Sequence, residues 1–251
     1  MQNNTTRSVT KEDLIRGFYE LGIRPGMAVE VHCSLSSFGY VAGGASAVIE
    51  SLFDTVGSNG TIIMPSLRLS PNLPLDDDDR ALGLVSKIRI LPPDNERSAM
   101  GIVADTFRRL PGVCTGDGVF RVSAWGKDAA AHAKGLRYLI DTDGWALLLG
   151  VDIYKLTAMH SVEDILPDGI KDIFRPTKEA GLKYPEDEWL IEGGEPPVKP
   201  WYTIQERAYH NGMIKEGMIG NCKCMFFKVR DVTGLYREAL EQDPYALYGI
   251  E

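Results

Sequence analysis

The chain lacks a long apolar run, has few cysteines and carries no excess of positive charge; each absence removes a class of function. No stretch approaches the roughly 20 apolar residues that a bilayer-spanning helix needs. The opening Met1-Gln2-Asn3-Asn4-Thr5-Thr6-Arg7 has no apolar core of the kind a secretory leader carries. A cytoplasmic location without a membrane partner is expected. Lys and Arg total 27 against 35 Asp and Glu, a net charge of −8. Nucleic acid calls for the opposite sign, so it is not an expected partner. The 4 cysteines, Cys33, Cys114, Cys222 and Cys224, are too scattered for a disulfide framework. Cys222-Lys223-Cys224 has the wrong spacing for a zinc knuckle and alternates like a strand, so these are read as packed or free thiols. Gly-x-Ser-x-Gly and Gly-x-x-x-x-Gly-Lys-Ser/Thr are also missing, which withdraws the main support for a serine hydrolase or a nucleoside triphosphatase. A metal centre would need three or four converging ligands. Only His160, Glu163 and His32 or Asp164 offer themselves, at no recognised spacing, so no metal is expected.

What is present suits an ordinary globular enzyme. With 251 residues, 44% hydrophobic and 25% charged, the chain can bury one sizeable core, and a single domain over 1–251 is expected. Thr10 reads as an N-cap before a helix with Leu14, Ile15, Phe18 and Leu21 on one face, ended by Gly22. Ala28–His32 reads as a strand, Ala45–Val56 as a helix and Thr61–Met64 as a buried strand closed by Pro65. This α-β-α-β order suggests a parallel crossover. Residues 66–98 hold Pro71, Pro74, Pro92, Pro93 and the run Asp76–Asp79. They read as a long surface excursion whose aspartates form a solvated charge run, with cation binding as the alternative. Met100–Leu110 and Lys127–Leu136 read as helices. Trp145–Val151 is a continuous apolar run and reads as a central strand. Helix Thr203–Asn211, strands near Ile214–Ile219 and Cys224–Val229, and helix Thr233–Glu241 follow. The expected class is α/β, a central mixed sheet flanked by helices.

Two segments carry chemistry. Val29–Ala45 is a strand running into a loop rich in serine and glycine, which then opens a helix. Small residues admit a ligand close to the backbone, and the unpaired N–H groups of a helix start favour an anion such as phosphate; the alternative is a plain turn. The second is Leu156–Asp164. On a helix, His160 and Glu163 share a face. A carboxylate that holds one imidazole nitrogen fixes the tautomer and makes the other nitrogen a better base. This pair follows the carboxyl end of the central strand, where open α/β sheets place ligands. His32 reads as a packed structural histidine, and His132 and His210 carry no signal.

Together these stretches resemble a known family. Val31-His32-Cys33-Ser34-Leu35-Ser36-Ser37-Phe38-Gly39, then Gly43-Gly44-Ala45, then Gly60–Ser66, look like the opening of the aminoglycoside 3-N-acetyltransferases. Met100-Gly101, Phe107-Arg108, Ser123–Lys127, Leu147–Val151, Thr157-x-x-His160-x-x-Glu163 and Gly217–Cys224 continue the likeness in order over nearly the whole chain. The resemblance implies a fold distinct from Gcn5-type acetyltransferases and acetyl transfer from acetyl-coenzyme A to an aminoglycoside amine. It implies His160 as general base and Glu163 as its orienter. Ser34, Leu35, Ser36, Ser37, Phe38, Gly39 and Ser123 would lie along the donor. Backbone N–H groups of Ser34–Gly39 are candidate oxyanion donors. Asp152, Glu163 and Asp164 suit a polycationic acceptor. Two family segments are altered: Arg-Ser-x-His-Pro-x-x-Ser is replaced by Cys114–Arg121, and a Thr-Pro-rich turn by Asn95–Ala99. Arg97 and Arg121 read as surface charges, with a phosphate contact as the alternative. The alterations leave open another amine acceptor, another thioester donor, or a homologue that binds coenzyme A without catalysis. The oligomeric state is open, a homodimer included.

Overall fold

The computed structural model describes residues 8–251, so the reading of Met1–Arg7 lies outside the described residues. Nine strands are described: β1 (Ala28–Cys33), β2 (Thr61–Pro65), β3 (Ser86–Arg89), β4 (Cys114–Thr115), β5 (Val122–Gly126), β6 (Trp145–Leu149), β7 (Trp189–Glu192), β8 (Lys215–Ile219) and β9 (Cys222–Lys228). Seven form one mixed sheet in the order β4-β5-β2-β1-β6-β9-β8, and β3 pairs with β7 apart from it. At the centre β1 runs parallel to both β2 and β6; β5 and β9 flank this trio antiparallel. Helix Gly44–Val56 makes the expected crossover from β1 to β2. Thr10 caps helix Lys11–Leu21 in a capping box with Asp13, and Gly22 ends it in the left-handed conformation.

Side chains alternate along a strand, so a central sheet builds two cores. On one face Val29, Val31, Ile62, Met64, Leu147 and Leu149 meet Leu14, Phe18, Ile49, Leu52, Val103 and Phe107. On the other, Ile63, Ala146, Leu148, Met225 and Phe227 meet Met159, Val162, Trp201, Ile204, Val232 and Tyr236. Each such side chain contributes about 1.5–3 kcal/mol when removed from water. Along β1 the same alternation sets Glu30 and His32 opposite to Val29 and Val31, and all four are buried.

Several local expectations are corrected. Residues 66–98 are not a structureless excursion: they hold helix Asp77–Ala81 and β3, which pairs antiparallel with β7 from Ser86↔Glu192 to Arg89↔Trp189. Three of the four aspartates in the run are exposed, as expected of a solvated charge run, but one is not. Asp76 caps that helix, and Asp79 is fully buried, bonded by Lys87 and Tyr184. Burial pushes the Asp79 carboxyl up, but hydrogen bonds from Lys87, Tyr184 and the Asp76 N–H together hold it below the usual carboxylate range. Of the helix expected over Lys127–Leu136 only Ala129–His132 is regular; Gly135, at φ +140°, separates it from a further short helix, Arg137–Asp141. The helix expected over Met100–Leu110 is regular only over Gly101–Phe107. No helix among the described residues is long and apolar enough to cross a membrane.

Candidate active site

After β6 the chain forms a short turn, Ile153–Lys155, and then a 3₁₀ helix, Thr157–Ile165. With three residues per turn, side chains three apart eclipse one another. The His-x-x-Glu spacing is therefore aligned more closely than an α-helix would allow. His160 Nδ1 lies 2.6 Å from Glu163 Oε2, which leaves Nε2 as the ring nitrogen free for other work. The His160 side chain is 62% exposed and that of Glu163 27%, so the ring opens to solvent while its carboxylate is half sheltered. Trp201 packs edge-on against the imidazole, ring centroids 4.8 Å apart at 70°. A cavity of about 500 Å³ opens beside it, walled by Leu67, Leu69, Ile88, Ser98, Met100, Tyr154, Thr157 and Trp201 among others, with Lys155 bringing a positive charge to its rim.

The serine-rich loop is held against the end of β6. Ser34 N–H donates to the Leu149 carbonyl at 2.9 Å, and Ser37 Oγ donates to the Gly150 carbonyl at 3.2 Å. Gly150 has φ +67°, and a Cβ there would sit 2.1 Å from Ser37 Oγ; only glycine allows this approach. Phe38 is buried in the core and Leu35 packs against it. Ser36 and Gly39 are exposed, and the Ser34 and Ser36 hydroxyls face each other at 3.4 Å. None of Ser34–Gly39 lines the cavity at His160. The two segments meet instead one step back, where the Thr157 backbone nitrogen lies 3.4 Å from His32 Nε2. His32 is packed, as expected, with Nε2 2.8 Å from Glu30 Oε1.

Other candidates fall differently. Ser123 is fully buried and its hydroxyl is engaged by Ser66 at 2.7 Å and Thr115 at 2.8 Å. Arg97 is exposed. Arg121 is not a surface charge: it is buried, donating to the carbonyls of Ser66 and Pro93 and to Asn95 Oδ1. Burial, reinforced by the charges of Arg108 and Arg68, lowers its pKa. Asp152 caps the Ile153–Lys155 turn and accepts from Tyr202, and Asp164 pairs with Arg237. Burial, together with the nearby Cys224, pushes the Cys33 thiol up to about 12, so it holds no thiolate nucleophile at neutral pH. Cys222 and Cys224 are free, buried on β9.

Three residues around the imidazole, together with Glu195 within electrostatic reach of one of them, were not read from the sequence. Tyr154 and Trp201 form its aromatic wall, rings 5.3 Å apart. Glu192, at the end of β7, and Glu195 bring further negative charge. Burial raises the Glu192 carboxyl, the Glu195 and Glu163 charges add to the rise, and His160 opposes it. Trp201 could have been suspected as an aromatic on a helix face; nothing local marks Glu192.

The family model for aminoglycoside 3-N-acetyltransferases matches residues 31–241. The chain therefore belongs to the aminoglycoside 3-N-acetyltransferase family. It is 29% identical over 260 residues to the SPbeta prophage-derived aminoglycoside N(3')-acetyltransferase-like protein YokD of Bacillus subtilis (strain 168), covering 92% of each. It is 28% identical over 254 residues to aminoglycoside N(3)-acetyltransferase IV of a Salmonella species, covering 93% of this chain and 88% of that one. Among solved structures, a histidine-to-alanine mutant of AAC(3)-IVa in complex with a gentamicin superposes with a TM-score of 0.70 at 22% identity, over 98% of this chain and 93% of that one. The AAC-IIIb binary with CoASH gives 0.67 at 18% identity, over 94% and 97%. The mixed sheet flanked by helices is thus the acetyltransferase fold of this family.

Proposed function

We propose that this protein transfers an acetyl group from acetyl-coenzyme A to an amine of an aminoglycoside, with His160 as general base and Glu163 as its positioning residue. The observation that carries the reading is the His160–Glu163 contact beside an open cavity. An amine is a nucleophile only once it has lost a proton, and His160 Nε2 is the free, exposed nitrogen that can take one. Glu163 holds Nδ1 and so keeps the ring in the tautomer and orientation this requires. The neutral amine then forms a bond to the acetyl carbon as the carbon–sulfur bond breaks; the proton held at Nε2 passes to the departing thiolate, and the second proton, shed by the acylated nitrogen, leaves to solvent.

The donor suits the residues present. The exposed Ser36 and Gly39, with the partly exposed Ser34, offer polar groups to an amide-bearing pantetheine arm, while the cavity walls are largely apolar and, among the described residues, carry no carboxylate. The negative charge gathers at Glu163, Glu192 and Glu195, as an acceptor with several ammonium groups requires. Ser123, bonded on both sides within the sheet, serves the strand rather than the donor.

The test is thiol release from acetyl-coenzyme A in the presence of a panel of aminoglycosides. Turnover is expected with at least one, and His160→Ala should lower it by about 10²–10⁴-fold. Undiminished turnover in that variant would remove His160 as the base. Turnover of another amine with every aminoglycoside inert would move the acceptor, and coenzyme A binding without turnover would leave a non-catalytic homologue.

A further inference from the structure

The chain carries a net charge of −8, yet one corner of the fold reverses that sign. Arg121 is buried just before β5, and the charges that act on it most are those of Arg108, Arg68, Asp105 and Arg109, three further arginines against one carboxylate. Asp105 is itself engaged by Arg108 and by the N–H and hydroxyl of Ser98. Like charges held close at low dielectric repel strongly, and an anion among them relieves this. A guanidinium has five N–H donors. Arg121 gives three of them, to the Ser66 carbonyl, the Pro93 carbonyl and Asn95 Oδ1, so two have no acceptor among the described residues. Arg121 also lines a cavity of about 460 Å³, together with Phe120, Asp117 and Lys134. Lys134 is exposed, and Phe120 is 63% exposed, so its ring is open to stacking.

The cavity lies at the carboxyl end of β2, where Pro65 pairs with Val122 and the Ser66 N–H donates to the Arg121 carbonyl. The Ser34–Gly39 turn follows the same end of β1, and Gly150 the same end of β6, since the three strands are parallel. In the sheet β6, β1, β2 and β5 are successive neighbours, so three strand spacings, about 14 Å, separate β6 from β5. An extended pantetheine arm is about as long as four or five residues of extended backbone, roughly 15 Å. A sulfur held beyond β6, with the arm laid over the turn after β1, therefore brings the donor's phosphates to this cavity. We propose that the cavity holds the nucleotide end of the donor, with Arg121 and Lys134 on its phosphates and Phe120 stacked on its adenine. Arg68, Arg108 and Arg109 supply the surrounding positive field, and Asp117 accepts from a ribose hydroxyl or the adenine amino group. The wall and the loop that holds Arg121 belong to Cys114–Arg121 and Asn95–Ala99, the two segments in which the chain departs from its family's pattern, so this set of contacts is the chain's own. The inference rests on coenzyme A being the carrier of the donor, but it concerns binding and is testable without turnover.

The experiment uses the full chain with Lys134→Glu, Lys134→Arg and Phe120→Ala, which replace exposed side chains; Arg121 is left in place because it also holds the Pro93–Asn95 loop. The first readout is calorimetry with coenzyme A, with adenosine 3′,5′-bisphosphate and with pantetheine. Lys134→Glu should weaken coenzyme A and the bisphosphate about 10-fold, and Phe120→Ala about 5- to 50-fold. Lys134→Arg should restore near wild-type affinity. Pantetheine, which lacks the nucleotide, should show none of these losses. The second readout is steady-state acetyl transfer. KM for acetyl-coenzyme A should rise by the same factors, while KM for acetyl-pantetheine should not follow. Wild-type affinity for coenzyme A in both Lys134→Glu and Phe120→Ala overturns the assignment. Equal losses with pantetheine also overturn it, because they show an effect that does not pass through the nucleotide, and so does a wild type that binds neither coenzyme A nor the bisphosphate. Should the wild type transfer acetyl to no amine, the functional reading fails while calorimetry with the bisphosphate still decides the site.

Discussion

Replacing Glu163 isolates what a carboxylate adds to an imidazole that is otherwise free to turn. The His160 ring is 62% exposed and touches Trp201 along one edge. The 2.6 Å contact at Nδ1 is then the interaction that fixes both its rotation and its tautomer. In Glu163→Ala the ring keeps the Trp201 contact but can rotate and carry its proton on either nitrogen. The loss is capped by that of deleting the base, about 10²–10⁴-fold, since Glu163 acts only through His160. A fall in kcat of about 10- to 100-fold is expected, or about 1.4–2.7 kcal/mol on the barrier. Glu163→Asp should lose nearly as much, because a side chain shorter by one methylene cannot span the gap. The assay is thiol release at saturating acetyl-coenzyme A and amine, with thermal melts to show that each variant is folded. A Glu163→Ala enzyme with kcat within about twofold of wild type would refute the assignment, since twofold is far less than loss of an orienting group costs.

Three further outcomes follow from the same geometry. Glu192→Gln should raise KM for a polycationic acceptor several-fold, leave KM for acetyl-coenzyme A unchanged, and weaken the dependence of KM on salt, as removal of one carboxylate from a cationic subsite does. Gly150→Ala places a methyl group where Ser37 Oγ stands, on a backbone with φ +67°; it should weaken coenzyme A binding in calorimetry, with His160→Ala binding as the wild type does. Asp79 has its folded-state carboxyl held below the ordinary range, so the stability it contributes is present above the unfolded value, about pH 4, and is lost as the pH falls through the depressed folded value. Melting temperatures of wild type and Asp79→Asn should therefore differ at pH 7 and converge in acid; a gap that persists unchanged would contradict this.

Much of this was legible in the sequence where the signal is local. The apolar periodicities of Lys11–Leu21 and Gly44–Val56 and the continuous run Trp145–Leu149 mark elements that the structure retains. His160 and Glu163 were legible because contact at a spacing of three is a property of any helical turn. The β3–β7 sheet was not, because β7 lies about a hundred residues downstream of β3 and each strand is only 4 residues long. Asp79 was lost inside a run of like charges, since its burial depends on Lys87 and on Tyr184, which follows a distant helix, Lys178–Lys183. Arg121 reads as a surface cation until Ser66, Pro93 and Asn95 supply its acceptors. Glu192 reaches the site only through that same remote sheet. His32 was legible as a packed histidine; Glu30, a carboxylate among valines in β1, gave no local sign of the burial that two covered sheet faces impose.

The central claim is that the imidazole of His160 works on a thioester presented from the Ser34–Gly39 turn. A crystal structure of the protein with coenzyme A bound tests it most directly. The pantetheine arm is expected along Ser34–Gly39 with its sulfur beside the free Nε2 of His160. A sulfur lodged elsewhere, with His160 facing only solvent, would contradict it.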